Sequence, residues 1–155
     1  MKEILLVEDS EADAALMRRA LHMLSVANPV RHFYTGPAAM AYLNTVAQTD
    51  AIAPAPTSIL FLDLVLPGMR GLEILEHISG KPAFEKMLRI VLTNLSDFDT
   101  IKRAYSLGAQ SFLIKPVQPD DLRELIENFP GHWSFQVEIP NPFAKIRQGS
   151  RVPVK

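Results

Sequence analysis

The sequence predicts an α/β protein in which five strands alternate with five helices around a parallel sheet. Three observations carry that reading. Short apolar runs alternate with segments of helical spacing, and those runs are apolar at consecutive positions, as strands covered on both faces must be. Pro or Gly then punctuates the helix ends.

Ile4 to Val7 is the first apolar run. Leu16, Met17, Ala20, Leu21 and Leu24 follow at helical spacing, with Ser10 as N-cap and Asn28-Pro29 as the stop. Val30 to Tyr34 reads as the second strand, and Thr35 with Pro37 opens a helix through about Val46. Residues 48–57 are rich in Ala and Pro and read as an extended loop. Ile59 to Leu62 is the most apolar strand and is expected at the centre, with Asp63 and LVLPGMRG forming the loop after it. Leu72, Leu75 and Ile78 give the next helix its buried face, and Gly80 lies near its end. Leu88 to Leu92 is the fourth strand, and a helix from about Asp97 to Leu107 closes at Gly108. Ser111 to Ile114 is the fifth strand, and the last helix runs from Pro119 to about Phe129, with Asp120 and Asp121 at its positive end.

Composition narrows the function classes. The net charge of −1 gives no footprint for nucleic acid or a membrane surface. With no cysteine there is no disulfide, thiolate metal site or Cys nucleophile, which fits a cytoplasmic protein. The amino terminus lacks the apolar stretch of a signal peptide, and no segment approaches the ~20 apolar residues that span a bilayer. His22, His32, His77 and His132 have no metal-ligand spacing.

Chemistry concentrates at the strand ends. The first strand runs into Glu8-Asp9, the third into Asp63, the fourth into Thr93 and the fifth into Lys115. In an open parallel sheet these ends lie along one edge, where ligands bind. Crowded carboxylates repel one another and need a cation, and an oxygen-only set with room for water suits Mg2+. A Lys ammonium and a Thr hydroxyl supply what a phosphoryl group needs, and a carboxylate can act as nucleophile to form an acyl phosphate. Taken singly, an acid at a strand end is ordinarily a solvated residue or a helix cap, and a lone Lys is ordinarily surface. The joint pattern has no such ordinary explanation.

The elements LLVEDS, ILFLDLVLPGMRG, IVLT and GAQSFLIKP resemble the receiver domain of two-component response regulators over about residues 2–129. The intervals from Asp63 to Thr93 and from Thr93 to Lys115 match the family's as well. The resemblance implies a doubly wound, flavodoxin-like (βα)5 fold with strand order 2-1-3-4-5. It implies Asp63 as phosphoacceptor from a sensor histidine kinase, with Lys115 and Thr93 assisting, and it makes the chain no conventional enzyme. It also implies Mg2+, or Mn2+ in its place, on Asp9, Asp63 and the Val65 backbone carbonyl, with Glu8 acting through water. Thr93 and Phe112 would form the switch, and the Lys115–Pro116 bond would be cis. Val65 and Leu95 are apolar where the family often carries polar groups beside the hydrolytic water, so a long-lived acyl phosphate is expected. Asn94 is larger than the usual small residue there.

The receiver would occupy residues 1–129 and leave 130–155 as a carboxy-terminal arm. Within the arm, 133–139 alternates, with Trp133, Phe135, Val137 and Ile139 on one side, and Phe143 follows before a basic end. Three readings compete for it: folding back on its own domain, disorder, or pairing with a second copy. An exposed stripe of this kind disfavours disorder, and a homodimer through the arm is expected. The HWSFQVEIP stretch and the loop at 48–57 are similar to regulators that partner bacterial and cyanobacterial phytochromes, which implies such a kinase as partner. No nucleic acid and no membrane partner is expected. Three alternatives stand beside this reading. A phosphatase with an Asp nucleophile would need a second acid where Val65 sits. A flavin-type cofactor binder would need a phosphate-cradling loop where Glu8 and Asp9 sit. A pseudo-receiver scaffold would never take phosphate.

Overall fold

The computed structural model describes residues 1–49, 58–94 and 97–136. Five strands, β1 (Ile4–Val7), β2 (Val30–Phe33), β3 (Ile59–Asp63), β4 (Leu88–Thr93) and β5 (Ser111–Ile114), form one parallel sheet in the order β2-β1-β3-β4-β5. Helices α1 (Glu11–Met23), α2 (Gly36–Thr49), α3 (Gly71–Ile78), α4 (Phe98–Ser106) and α5 (Pro119–Asn128) connect them. Among the described residues, no helix is long and apolar enough to cross a membrane.

The side-chain period of a strand divides the core in two. Leu5, Val7, Leu60, Leu62 and Val91 face α2, α3 and α4, packing with Leu43, Ile74, Leu75, Ile78 and Ala104. Ile4, Leu6, Phe61, Ile90, Leu92 and Leu113 face α1 and α5, packing with Met17, Leu21, Leu122 and Leu125. A sheet buried on both sides explains why its strands read as unbroken apolar runs. Because β1 pairs with β2 on one side and β3 on the other, strand order reverses there. The carboxyl ends of β1 and β3 flank the resulting crevice.

Several boundaries differ from the sequence expectation. β3 and β4 each run one residue further, so Asp63 and Thr93 belong to the strands. Helix α1 ends at Met23, before the expected Asn28-Pro29 stop, and Ser25 takes a left-handed backbone (φ 59°). Helix α2 continues to Thr49, and a 3-10 turn at Pro82–Phe84, between α3 and β4 in the chain, buries Phe84 in the core. The expected loop at 48–57 lies outside the described residues from position 50 on.

The start of the arm folds back on its own domain. Phe135 forms an antiparallel bridge with Val26, through Ala27 N to Ser134 O at 2.6 Å and Gln136 N to Ser25 O at 2.8 Å. Asn28, 5% exposed, clasps this junction. Its amide donates to Lys2 O (2.8 Å) and His132 O (3.2 Å), and its Oδ1 accepts from Ser134 N (2.7 Å). Trp133 packs on the α1/α5 core beside Phe61 and donates to Phe129 O at 3.0 Å, while Phe135 stays 50% exposed. The expected single apolar face therefore splits at its beginning. Val137, Ile139 and Phe143 lie outside the described residues.

Candidate functional site: a carboxylate cluster at the sheet's carboxyl edge

The site assembles from strand ends and one helix start. β1 delivers Glu8 and Asp9, with Glu8 N bonded to Phe33 O at 3.0 Å. β3, the central strand, holds Asp63 at 3% exposure, and Thr93 is 8% exposed at the end of the neighbouring β4. Lys115 N bonds Thr93 O at 2.8 Å, so the lysine's backbone is tied to the threonine it follows across the sheet. The Lys115–Pro116 peptide is cis.

From that anchor the Lys115 ammonium reaches Glu8 Oε1 at 2.8 Å, Asp63 Oδ2 at 2.9 Å and Asp13 Oδ2 at 3.2 Å. Asp63 Oδ1 accepts from Val65 N at 2.9 Å, so both of its oxygens are held by donors. A cleft of about 260 Å³ opens above them, lined by Asp9, Asp63, Val65, Thr93, Asn94 and Lys115 among others. The Val65 side chain is 75% exposed and leaves Asp63 approachable from solvent. Leu95 lies outside the described residues.

Electrostatics follow from crowding. Glu8 is fully buried, and its carboxyl is pushed up to about 8 by burial first and by the neighbouring Asp63 carboxylate second, with Lys115 opposing. Burial pulls the Lys115 ammonium down, but its hydrogen bonds to Glu8 and Asp63 outweigh this and raise it above the ordinary lysine value. The cluster carries more negative charge than one ammonium neutralises. A proton on Glu8 relieves the excess, and a divalent cation would relieve it in the same place.

The residues fit such an ion. Carboxylate oxygens of Glu8, Asp9 and Asp63 lie within 4.8 Å of one another, and the buried Glu8 Oε2 has no hydrogen-bond partner. The donors are all oxygen, and Asp9 is exposed where water can complete the shell.

All five residues expected from the strand ends thus converge. Phe112 stands apart from them, half-buried on the α4 side of β5 in edge-to-face contact with Tyr105 at 6.4 Å. Asp13 was missed. Its one sequence signal, an acid three residues after Ser10, reads as part of a helix-capping pattern.

A doubly wound sheet carrying acids on β1, an acid on β3, Thr on β4 and Lys on β5 at one crevice is the architecture of a signalling receiver module. Comparison with known proteins agrees, because residues 4–127 match the response regulator receiver domain, and the chain belongs to that family. It is 33% identical over 139 residues to the probable methanogenesis regulatory protein FilR2 of Methanothrix harundinacea, covering 90% of this chain and 88% of that one. It is 32% identical to the response regulator Rcp1 of Synechocystis sp., covering 90% and 93%. The Mn(2+)-bound form of Rcp1 superposes with a TM-score of 0.66 at 30% identity, covering 91% of this chain and all of that one (100%). The bacteriophytochrome response regulator AtBRR superposes with a TM-score of 0.72 at 30% identity, covering 89% and 99%.

Proposed function

We propose that this receiver takes a phosphoryl group onto Asp63 from a histidine kinase. The observation that carries this is the Lys115 ammonium, held 2.9 Å from Asp63 Oδ2 beside a cation-fitting carboxylate set. In the transfer, an Asp63 oxygen attacks the phosphorus of a phosphohistidine. The P–N bond breaks, the imidazole nitrogen keeps the electron pair and later takes a proton, and an acyl phosphate forms. Mg2+ or Mn2+ on Asp9, Asp63 and the Val65 carbonyl, with Glu8 behind, would supply charge neutralisation for the phosphoryl oxygens. Lys115 adds a point charge to the same oxygens, and Val65 N orients the carboxylate. Thr93 lines the cleft and its hydroxyl would donate to a phosphoryl oxygen, and Phe112 behind β5 would repack as it moves.

The likeness to a bacteriophytochrome regulator supports a phytochrome-type kinase as the donor. For the arm beyond residue 129, the half-exposed Phe135 supports a role, with Val137, Ile139 and Phe143, in pairing two copies. Trp133 is already committed to its own core. A light-scattering mass of one chain at micromolar concentration would remove the dimer.

Incubation with acetyl phosphate and Mg2+, read by intact mass, tests the central claim. Wild type gains one phosphoryl group, and Asp63→Asn gains none. An unmodified wild type would leave the scaffold reading in its place.

A further inference from the structure

We infer that Asp13 is a positioning residue for this transfer, anchoring the Lys115 ammonium from α1 so that it stays over Asp63 while the Asp63 carboxylate becomes an acyl phosphate. The inference rests on the proposed phosphoryl acceptance and adds a residue to it.

An ammonium has three N–H donors, and Lys115 Nζ meets three carboxylates, at 2.8 Å (Glu8), 2.9 Å (Asp63) and 3.2 Å (Asp13). Two of these partners cannot be constant. Asp63 is the group that reacts, and once a P–O bond forms its carboxylate charge is gone. Glu8 shares its carboxyl with the carboxylate set that fits a cation, and its second oxygen is buried without a hydrogen-bond partner. Asp13 belongs to neither arrangement. Its carboxylate is the contact that can persist through the reaction.

Its placement is set by the helix. Ser10 caps α1, accepting from Asp13 N at 3.2 Å, and Ala14 N bonds Ser10 O at 3.0 Å. Ala14 and Met17, each 1% exposed, press that first turn onto the sheet. The anchor therefore stands on a rigid element, whereas Lys115 has a four-carbon stem that needs fixing. The ordinary reading of Asp13 is a first-turn acid that complements the helix dipole. That reading predicts a small stability effect and leaves the chemistry untouched, which separates the two.

The test compares full-length wild type, Asp13→Asn, Asp13→Ala and Asp13→Glu, with Asp63→Asn as blank, by following acetyl phosphate labelling with intact mass. Asp13→Asn and Asp13→Ala should label about three- to tenfold more slowly, with the loss in maximal rate and not in the half-saturating acetyl phosphate concentration. Asp13→Glu should recover most of the rate. The Lys115 ammonium resonance, sharp in wild type by nitrogen-15 NMR, should broaden in Asp13→Ala. Labelling of both neutral variants at the wild-type rate, or Asp13→Glu as slow as Asp13→Ala, overturns the inference while leaving the acceptor role intact. A wild type that never labels overturns the acceptor role itself. Should Asp13→Ala unfold, the isosteric Asp13→Asn carries the same comparison.

Discussion

Metal-free protein should lose stability as the pH rises from neutrality past 8, and the Glu8 carboxyl should be the cause. Glu8 is fully buried, and burial, reinforced by Asp63 and opposed by Lys115, lifts it from 4.5 to about 8. Between those values the folded chain keeps a proton that the unfolded chain has released. The contribution is complete below 4.5 and is lost as the pH climbs through about 8. At ~1.36 kcal/mol per tenfold, the rise from 4.5 to about 8 sets a ceiling on the order of 4–5 kcal/mol. Relaxation and water entry around a buried charge bring that total to about 1–3 kcal/mol, of which roughly a quarter, at most about 1 kcal/mol, falls above pH 7. His77 and His132 work the other way, being lowered by burial and by Lys81 and Lys2 respectively, so their contribution grows with pH and is complete above their ordinary 6.5. Lys115, raised from 10.5, contributes evenly throughout the neutral range. Urea unfolding in chelator between about pH 7 and 8.5 therefore isolates Glu8. Glu8→Gln should flatten the slope and exceed wild type at the alkaline end. Added Mg2+ should stabilise wild type more at the alkaline end, because ion and proton compete for the same carboxylates. A wild type whose stability is flat or rising across that interval, or a Glu8→Gln variant with an unchanged slope, would refute the reasoning.

Three further outcomes follow from packing. A Cβ at Gly71 would sit 2.8 Å from Leu64 Cα and closer still to Asp63 O, and backbone cannot step aside. Gly71→Ala should therefore destabilise by about 2 kcal/mol or more and depress Asp63 labelling, both measurable on one sample. Asn28→Ala strands Lys2 O, His132 O and Ser134 N, for about 1–3 kcal/mol by urea unfolding. Because Trp133 is the sole tryptophan, its emission should redden in that variant as the junction opens. Trp133→Ala removes a ring packed beside Phe61 and should cost ~2–4 kcal/mol by the same assay, whereas Phe135→Ala, at a half-exposed side chain, should stay within about 0.5 kcal/mol.

The clustered residues were legible in the sequence because topology does the placing. A parallel sheet sends every strand's carboxyl end to one edge, so Glu8, Asp9, Asp63, Thr93 and Lys115 needed only strand assignments to be brought together. Asp13 had no such guarantee. Whether a first-turn acid points to solvent or to a lysine depends on how α1 lies on the sheet, and Ala14 and Met17 settle that through packing. The arm shows the same limit. Alternation from Trp133 to Ile139 states which side chains share a side of a strand, but it cannot state what lies opposite. Here the bridge to Val26 forms at one residue, and the Asn28 amide takes Ser134 N. Trp133 is thereby turned into the core and Phe135 left outside. Asn28 read as a helix stop, yet its buried amide joins the amino terminus, the α1–β2 connection and the arm. Polar residues of this kind declare themselves only through partners distant in sequence. The two least legible residues, Asp13 and Asn28, are accordingly ones whose work is to hold other groups in place.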